Sequence, residues 1–440
     1  MIAYSRERCH KKTYTFITIF KDPLPLKITA LSSKIISMNS INTIGIIAEF
    51  NPFHKGHEHI INEARQHFGA SHVIVIMSGD YVQRGEPAII DKYARTKMAL
   101  TAGADMVFEL PTAFASGSAQ YFARGAVSAL INCTCVDALL FGSECGRIEI
   151  LKELASGNTV ADEAMSDETV SGCSSPAVVH DGRFTPRELR LSPNDLLAVE
   201  YIKAIEYFGA DITPLTIPRR AVSHTDVLPK EGFASASAVR EMLCGSVSDG
   251  PNDIKEFIPS YAFDMLETYM AEKQPLSPGS FSDMLFSTLI RERSGGYADY
   301  FDIFPALSDK IRTKLESYKD YTSFINVLKS KDISYSHLSR ALLHILLDIK
   351  KEDVDMMRDK YGYCPWLRIL GLKRESTLPS VLRSAADRSI ISRLADAKNV
   401  LDADAAALLE KDITASDLYC HTASKNGGFV SEYRRGIVIL

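Results

Sequence analysis

The chain contains no Cys-x-x-Cys pair, no Gly-x-Ser-x-Gly, no P-loop signature and no apolar run of the roughly 18 residues that a membrane helix needs. Each absence removes a class of protein. Eight cysteines are present, at positions 9, 133, 135, 145, 173, 244, 364 and 420. They are scattered, and Cys133 and Cys135 have no second pair at zinc spacing. Buried free thiols in a reducing cytosol are therefore expected, with no metal centre and a cytoplasmic location. Without a nucleophile elbow or a Walker loop, nothing points to an α/β-hydrolase or a P-loop NTPase. A strong basic excess is missing as well: net charge is −5 and pI is near 6.2. That excludes a globally basic nucleic-acid coat and gives no reason to expect DNA binding, but it leaves room for a local basic face toward RNA. No membrane association is expected.

What is present is a regular alternation. Strand-like runs fall at 43–49, 72–77, 106–110 and 138–142, with helical patterns at 56–68, 91–102 and 118–131 between them. Steps of about 30 residues are the length of a βαβ unit, so the first half reads as a Rossmann-like, doubly wound parallel sheet. Such sheets bind ligands beyond the carboxyl ends of their strands. The segments there are 51–57, 78–87 and 142–146. The stretch 158–181, rich in Ser, Asp, Glu and Gly, reads as an irregular excursion. Order resumes with a helix over 196–207 and a last strand over 212–217. A Gly/Ser/Asp-rich exit lies at 244–253. From about 254 the pattern is mainly helical, and past 402 it reads as a short helix and a small strand-containing tail. Three segments are expected: 1–40 as a poorly ordered extension with no core-forming pattern, 41–250 as the α/β domain, and 251–440 as a mainly α-helical domain.

The chemistry concentrates at the first strand's end. The apolar run from Ile44 to Ala48 breaks at Asn51-Pro52, and His54-Lys-Gly56-His57 opens a helix. Imidazoles three residues apart share one helical face. Gly56 lets a ligand approach the backbone, and a helix start offers N–H groups and the positive end of a dipole. Together these make a cradle for polyphosphate. A second ligand loop is Met77-Ser-Gly-Asp-Tyr-Val-Gln83-Arg84-Gly85-Glu86-Pro87, where Gln83 and Arg84 supply donors. Gly142 ends the fourth strand, where an adenine or ribose can lie against the backbone. Asn194 stands at a helix start, where it reads equally as an N-cap. Arg219 and Arg220 follow a Pro, and Ser235, Ser237 and Arg240 form a late Ser-rich helix start able to hold phosphate oxygens.

The segments GIIAEFNPFHKGH, MSGDYVQRGEPA, KYARTKMALTAGADMVFELP, ALLFGSE, LSPNDLLAVEYIKAI, IPRRAVSHTD and ASASAVREML occur in that order. This series closely resembles the bacterial tRNA(Met) cytidine acetate ligase family, within the nucleotidyltransferase superfamily marked by the HIGH motif. The resemblance runs from about residue 44 to the C-terminus and is looser in the helical part. It implies ATP as co-substrate with Mg²⁺, and acetate and elongator tRNA(Met) as the other substrates. Acetyl-adenylate would form first, and the acetyl group would then pass to N4 of the wobble cytidine. It implies ATP contacts at Ile47, Ala48, Glu49, Phe50, Asn51, Pro52, Phe53, His54, Lys55, Gly56, His57, Glu58, His59 and Ile60, and at Gly142, Asn194, Arg219, Ser235 and Ser237. His54, His57 and Arg240 would carry the catalysis. The family's Tyr-His-Asp appears here as His224-Thr-Asp226, which leaves the role of His224 open.

Leu338, Leu342, Ile345, Leu346 and Ile349 form an amphipathic stripe in the helical region. Lys329, Lys331 and Arg340 flank it and are expected to contact RNA phosphates; a solvated face is the plainer alternative. Two rival functions remain at this level. A small-metabolite adenylyltransferase is disfavoured by the extra helical region, and a non-catalytic RNA-binding protein with a vestigial nucleotide domain is disfavoured by the intact motifs.

Overall fold

β1 (Thr43–Ala48) lies in parallel register with β2 (His72–Ser78), Ile44 beside Val73 and Ile46 beside Val75. Branched apolar residues suit this pleated, fully covered position. The structure is a computed structural model and describes residues 41–156, 191–219, 236–244, 254–385 and 389–440. A hairpin of two-residue strands follows β2, pairing β3 (Tyr81–Val82) with β4 (Glu86–Pro87). β5 (Met106–Leu110), β6 (Ala138–Ser143) and β7 (Thr213–Pro218) complete the parallel order β5-β2-β1-β6-β7. The order turns back between β1 and β6, which opens a crevice at their carboxyl ends.

The connections are helical: α1 (Lys55–Gln66), α2 (Lys92–Ala102), α3 (Thr112–Ala115), α4 (Ala119–Asn132), α5 (Ile148–Ala155), α6 (Pro193–Phe208) and α7 (Ala236–Cys244). Successive strand residues point to opposite faces, so each face builds its own core. Val73 and Val75 join Ile61, Ala99 and Leu100 of α1 and α2 on one side. Ile74 and Ile76 join Ala126, Leu130 and Ile202 of α4 and α6 on the other. The expected strands and helices of this half are present, with ends moved by at most three residues.

Beyond them come α8 (Ser260–Glu272), α9 (Ser282–Glu292), α10 (Pro305–Lys314), α11 (Tyr321–Leu328), α12 (Tyr335–Leu346), α13 (Lys351–Tyr361), α14 (Leu378–Ala385) and α15 (Ala403–Ala423). This region is mainly helical, as its pattern implies. It also returns to the sheet. β8 (Trp366–Leu372) runs antiparallel beside β5, and β9 (Ser389–Ile391) and β10 (Val438–Ile439) pair with β8. The described residues from 41 to 440 accordingly form one compact unit. A seven-residue stretch such as Trp366–Leu372, apolar but for Arg368, has no period that separates strand from buried helix. α15 spans 21 residues where a short helix is expected, because buried Asp412 and Ser416 interrupt its apolar pattern.

A buried charge cluster ties the two halves together. Lys92 Nζ lies 2.7 Å from Glu109, 2.7 Å from Glu432 and 2.6 Å from the Ser416 hydroxyl. Arg368 of β8 reaches Glu109 at 2.7 Å and Glu432 at 2.5 Å. All four charged groups are essentially withdrawn from water. Such groups are tolerated inside only when paired.

Arg340 corrects an expectation. It lies in α12 at 1 % exposure, with Nε 2.9 Å from Asp302 Oδ2. The β3–β4 hairpin covers it: a Cβ on Gly85 would sit 2.3 Å from the Arg340 amide nitrogen. A guanidinium enclosed in this way cannot meet an RNA phosphate. Lys329 and Lys331 are exposed at the turn between α11 and α12. No helix among the described residues is long and apolar enough to cross a membrane. Cys133, Cys135, Cys145, Cys364 and Cys420 are free thiols.

Candidate nucleotide site

The turn after β1 is built tightly. Phe50 takes a positive φ of 51°, Asn51-Pro52 is a cis peptide, and His54 caps α1. Its Nδ1 accepts from the Gly56 N–H at 3.0 Å. His57 Nδ1 accepts in turn from the His54 N–H at 3.3 Å. The rings stack at 3.7 Å between centroids, 19° from parallel. With each Nδ1 accepting, the neutral rings carry their protons on Nε2. Burial lowers the His54 pKa to about 3, aided by the nearby Arg219 and Arg240 charges. Burial, His54 and Arg219 also hold His57 well below its ordinary value. Both rings are thus neutral donors at physiological pH. His54 Nε2 is buried and has no hydrogen-bond partner among the described residues. An orphaned donor of this kind costs about 1–3 kcal/mol until an acceptor arrives.

Two expectations about this turn are corrected. The first N–H groups of α1 are not open to a ligand: Lys55 N donates to Phe257 O, Gly56 N to His54 Nδ1 and His57 N to His54 O. Nor does Gly56 leave room for a ligand. A Cβ there would lie 2.9 Å from His54 Cε1, so the missing side chain makes space for the capping imidazole. What this turn offers to an anion is therefore side-chain donors and the helix dipole.

Cations converge on the same turn. Arg240, on α7, donates from Nη1 to Asn51 O at 2.8 Å. Arg219 follows β7, and its guanidinium has no hydrogen bond or ion pair among the described residues. A Cβ on Gly142 would sit 3.0 Å from Arg219 Cγ, so the glycine at the end of β6 admits that arginine. Asn194 Nδ2 donates to Glu144 Oε1 at 2.5 Å. The N-cap of α6 is Ser192, whose hydroxyl accepts from Asp195 N, so Asn194 is not the cap. Ser235 and His224 lie outside the described residues, as do the side chain of Ser237 and the stretch 158–181.

Sequence reasoning missed Arg95. This wholly buried side chain donates to Ile90 O at 3.0 Å, Glu49 O at 2.6 Å, Ser78 O at 3.0 Å and Gly79 O. It clamps the chain just beyond the carboxyl ends of β1 and β2. The available signal was poor amphipathicity: α2 buries Lys92, Arg95 and Thr96 on what reads as a polar face.

A doubly wound sheet with paired histidines after its first strand, facing arginines from the later elements, defines a HIGH-type nucleotidyltransferase. The family model described as HIGH Nucleotidyl Transferase matches residues 41–430. The tRNA(Met) cytidine acetate ligase of Clostridium perfringens is 32% identical over 403 residues, covering 86% of this chain and 95% of that protein. Its counterpart from Acetivibrio thermocellus is 30% identical over 419 residues, covering 91% and 100%. The chain belongs to the tRNA(Met) cytidine acetate ligase family. Its fold is also that of Thermotoga maritima TmcAL, at a TM-score of 0.80 over 91% of this chain and 99% of that one, with 24% identity. A second crystal form of that protein, bound with alpha-thio ATP, gives 0.78.

Proposed function

We propose that the protein is a cytoplasmic, ATP-dependent ligase that converts acetate and ATP to acetyl-adenylate and pyrophosphate. It then acetylates N4 of the wobble cytidine of elongator tRNA(Met). The observation that carries this reading is the pair of neutral, Nε2-protonated imidazoles set among Arg219 and Arg240. Adenylation is an in-line attack of a carboxylate oxygen on the α-phosphorus. It needs charge stabilisation and positioning, with no covalent nucleophile. His54 and His57 donate to the phosphate oxygens on which charge develops. Arg240, with Ser235 and Ser237, holds the leaving pyrophosphate. The turn from Ile47 to Ile60, with Gly142, Asn194 and Arg219, seats the nucleotide. Mg²⁺ enters with the substrate as Mg-ATP; it binds through phosphates and retained waters. No cluster of three metal-ligating side chains occurs among the described residues. Acetate-dependent ATP–pyrophosphate exchange, followed by N4-acetylcytidine analysis of elongator tRNA(Met), tests the whole reading. Exchange without acetate, or exchange that tRNA never discharges, would overturn it.

The helical region supplies the RNA face in this reading, through Lys329 and Lys331. K329E/K331E is expected to weaken tRNA affinity and to flatten its logarithmic salt dependence by about 1–2, near one unit per lost phosphate contact. Exchange should stay unchanged. Affinity titrations across a salt series check this, and an unaltered slope would make the two lysines a solvated face.

A further inference from the structure

The second half-reaction needs a proton acceptor. An exocyclic amine that attacks a mixed anhydride becomes acidic as its N–C bond forms, whereas the departing phosphate needs no proton. The two imidazoles cannot serve, since each Nδ1 already accepts a hydrogen bond and each Nε2 carries the proton. Among the carboxylates at the strand ends, Glu144 is held by Ser192 and Asn194, and Glu49 accepts from Gln83 N at 2.9 Å. Glu86 differs. It is partly buried, and its carboxylate has no hydrogen bond or ion pair among the described residues.

The hairpin fixes where Glu86 points. Tyr81 pairs with Pro87, and Val82 with Glu86. Alternation therefore sends Tyr81 and Glu86 to opposite faces. Tyr81 goes inward, its hydroxyl bonding to Ala415 O. Glu86 takes the other face, where Arg240, Arg84 and Glu49 are its charged neighbours and Tyr321 and Tyr335 feel its charge. Three anchors hold it there: Gln83 N to Glu49, Ile89 N to Asn51 Oδ1 at 2.8 Å, and Ser339 Oγ to Gly85 O at 2.8 Å. Asn51 is also the residue whose carbonyl receives Arg240. The carboxylate is thus held beside the nucleotide turn, with no hydrogen bond or ion pair among the described residues.

We propose that Glu86 is the general base of acetyl transfer. The N4 lone pair forms the N–C bond to the acetyl carbonyl carbon. The bond from that carbon to the phosphate oxygen breaks, and AMP leaves with the electron pair. One N4 proton passes to a Glu86 oxygen and then to water. This assignment rests on the acetyl-transfer reading above and adds a residue to it. Burial raises the Glu86 pKa, Arg240 and Arg84 pull it back, and Glu49 pushes it up further. The balance places it above the ordinary carboxylate value, where a carboxylate is a better base.

The test compares E86Q and E86D with the wild-type chain in two assays: acetate-dependent ATP–pyrophosphate exchange, and single-turnover acetylation of an elongator tRNA(Met) transcript. In E86Q the ratio of transfer to exchange should fall by about 10²-fold or more, the usual range for a lost general base. E86D should recover part of the loss. Wild-type transfer should rise with pH through an inflection above the ordinary glutamate range, and E86Q should lack that inflection. Equal losses in both assays, or an unchanged ratio, would overturn the assignment. Failure of the wild-type chain to show acetate-dependent exchange would overturn the acetyl-transfer reading instead, so the two failures are separable.

Discussion

His54→Asn should lower acetate-dependent pyrophosphate exchange by about 10²-fold or more while leaving thermal stability close to that of the wild type. The two effects separate because His54 does two jobs with two nitrogens. Its Nδ1 caps α1 by accepting from Gly56 N, a role that an asparagine oxygen fills well. Its Nε2 is buried without a hydrogen-bond partner among the described residues and is the donor proposed to meet the phosphates; asparagine cannot place a donor there. His54→Ala removes both functions and should also cost about 0.5–2 kcal/mol of stability, as N-cap losses do. Since the His54 pKa is lowered to about 3, its titration should leave no inflection in exchange near pH 6.5. Exchange rates measured alongside melting curves decide the matter. Near-wild-type exchange in the asparagine variant would sink the phosphate role of this ring.

The largest stability effect is expected from Lys92→Met. The ammonium is fully buried against Glu109, Glu432 and Asp80, and removing it leaves Glu109 and Glu432 to share Arg368 and Asp80 with only the nearby charge of Arg95 among the described residues. Breaking a buried ionic cluster from one side costs about 3–5 kcal/mol, most of it the burden of the uncompensated charge. Urea unfolding would read this directly. The cluster also carries a pH signature. Burial pushes the Glu432 carboxyl up, but Lys92 and Arg368 overcome that and hold it at about 2. A depressed native pKa gives stability that is present above the unfolded value near 4.5 and is lost as pH falls toward about 2. That acid limb should shrink in Lys92→Met. A loss under about 1 kcal/mol would mean the cluster does not hold the two halves together.

The parallel half of the sheet was legible because its signal is local. Strands of near-continuous apolar residues alternate with amphipathic helices at a constant step, and burial on both sheet faces enforces that pattern. His-x-Gly-His was legible for the same reason, since strand, turn and helix cap adjoin in sequence. The return of Trp366–Leu372 to the sheet was not, because its partner Val107 lies more than 250 positions earlier and a short apolar run carries no register. Arg340 misled for a related reason. Its neighbours mark an amphipathic helix, yet the hairpin that buries it comes from far upstream through Gly85.

By itself, the order of residues determined the class of fold, the crevice and the types of group that line it, because each follows from neighbours within about 30 positions. Tertiary structure alone decided how those groups act. It turned the α1 amides inward, set both imidazoles as neutral donors, gave Arg95 four carbonyls to clamp and left the Glu86 carboxylate without a hydrogen bond or ion pair among the described residues. These outcomes depend on burial and on contacts between distant segments. Desolvation and the field of neighbouring charges set protonation, and neither is encoded in the local pattern.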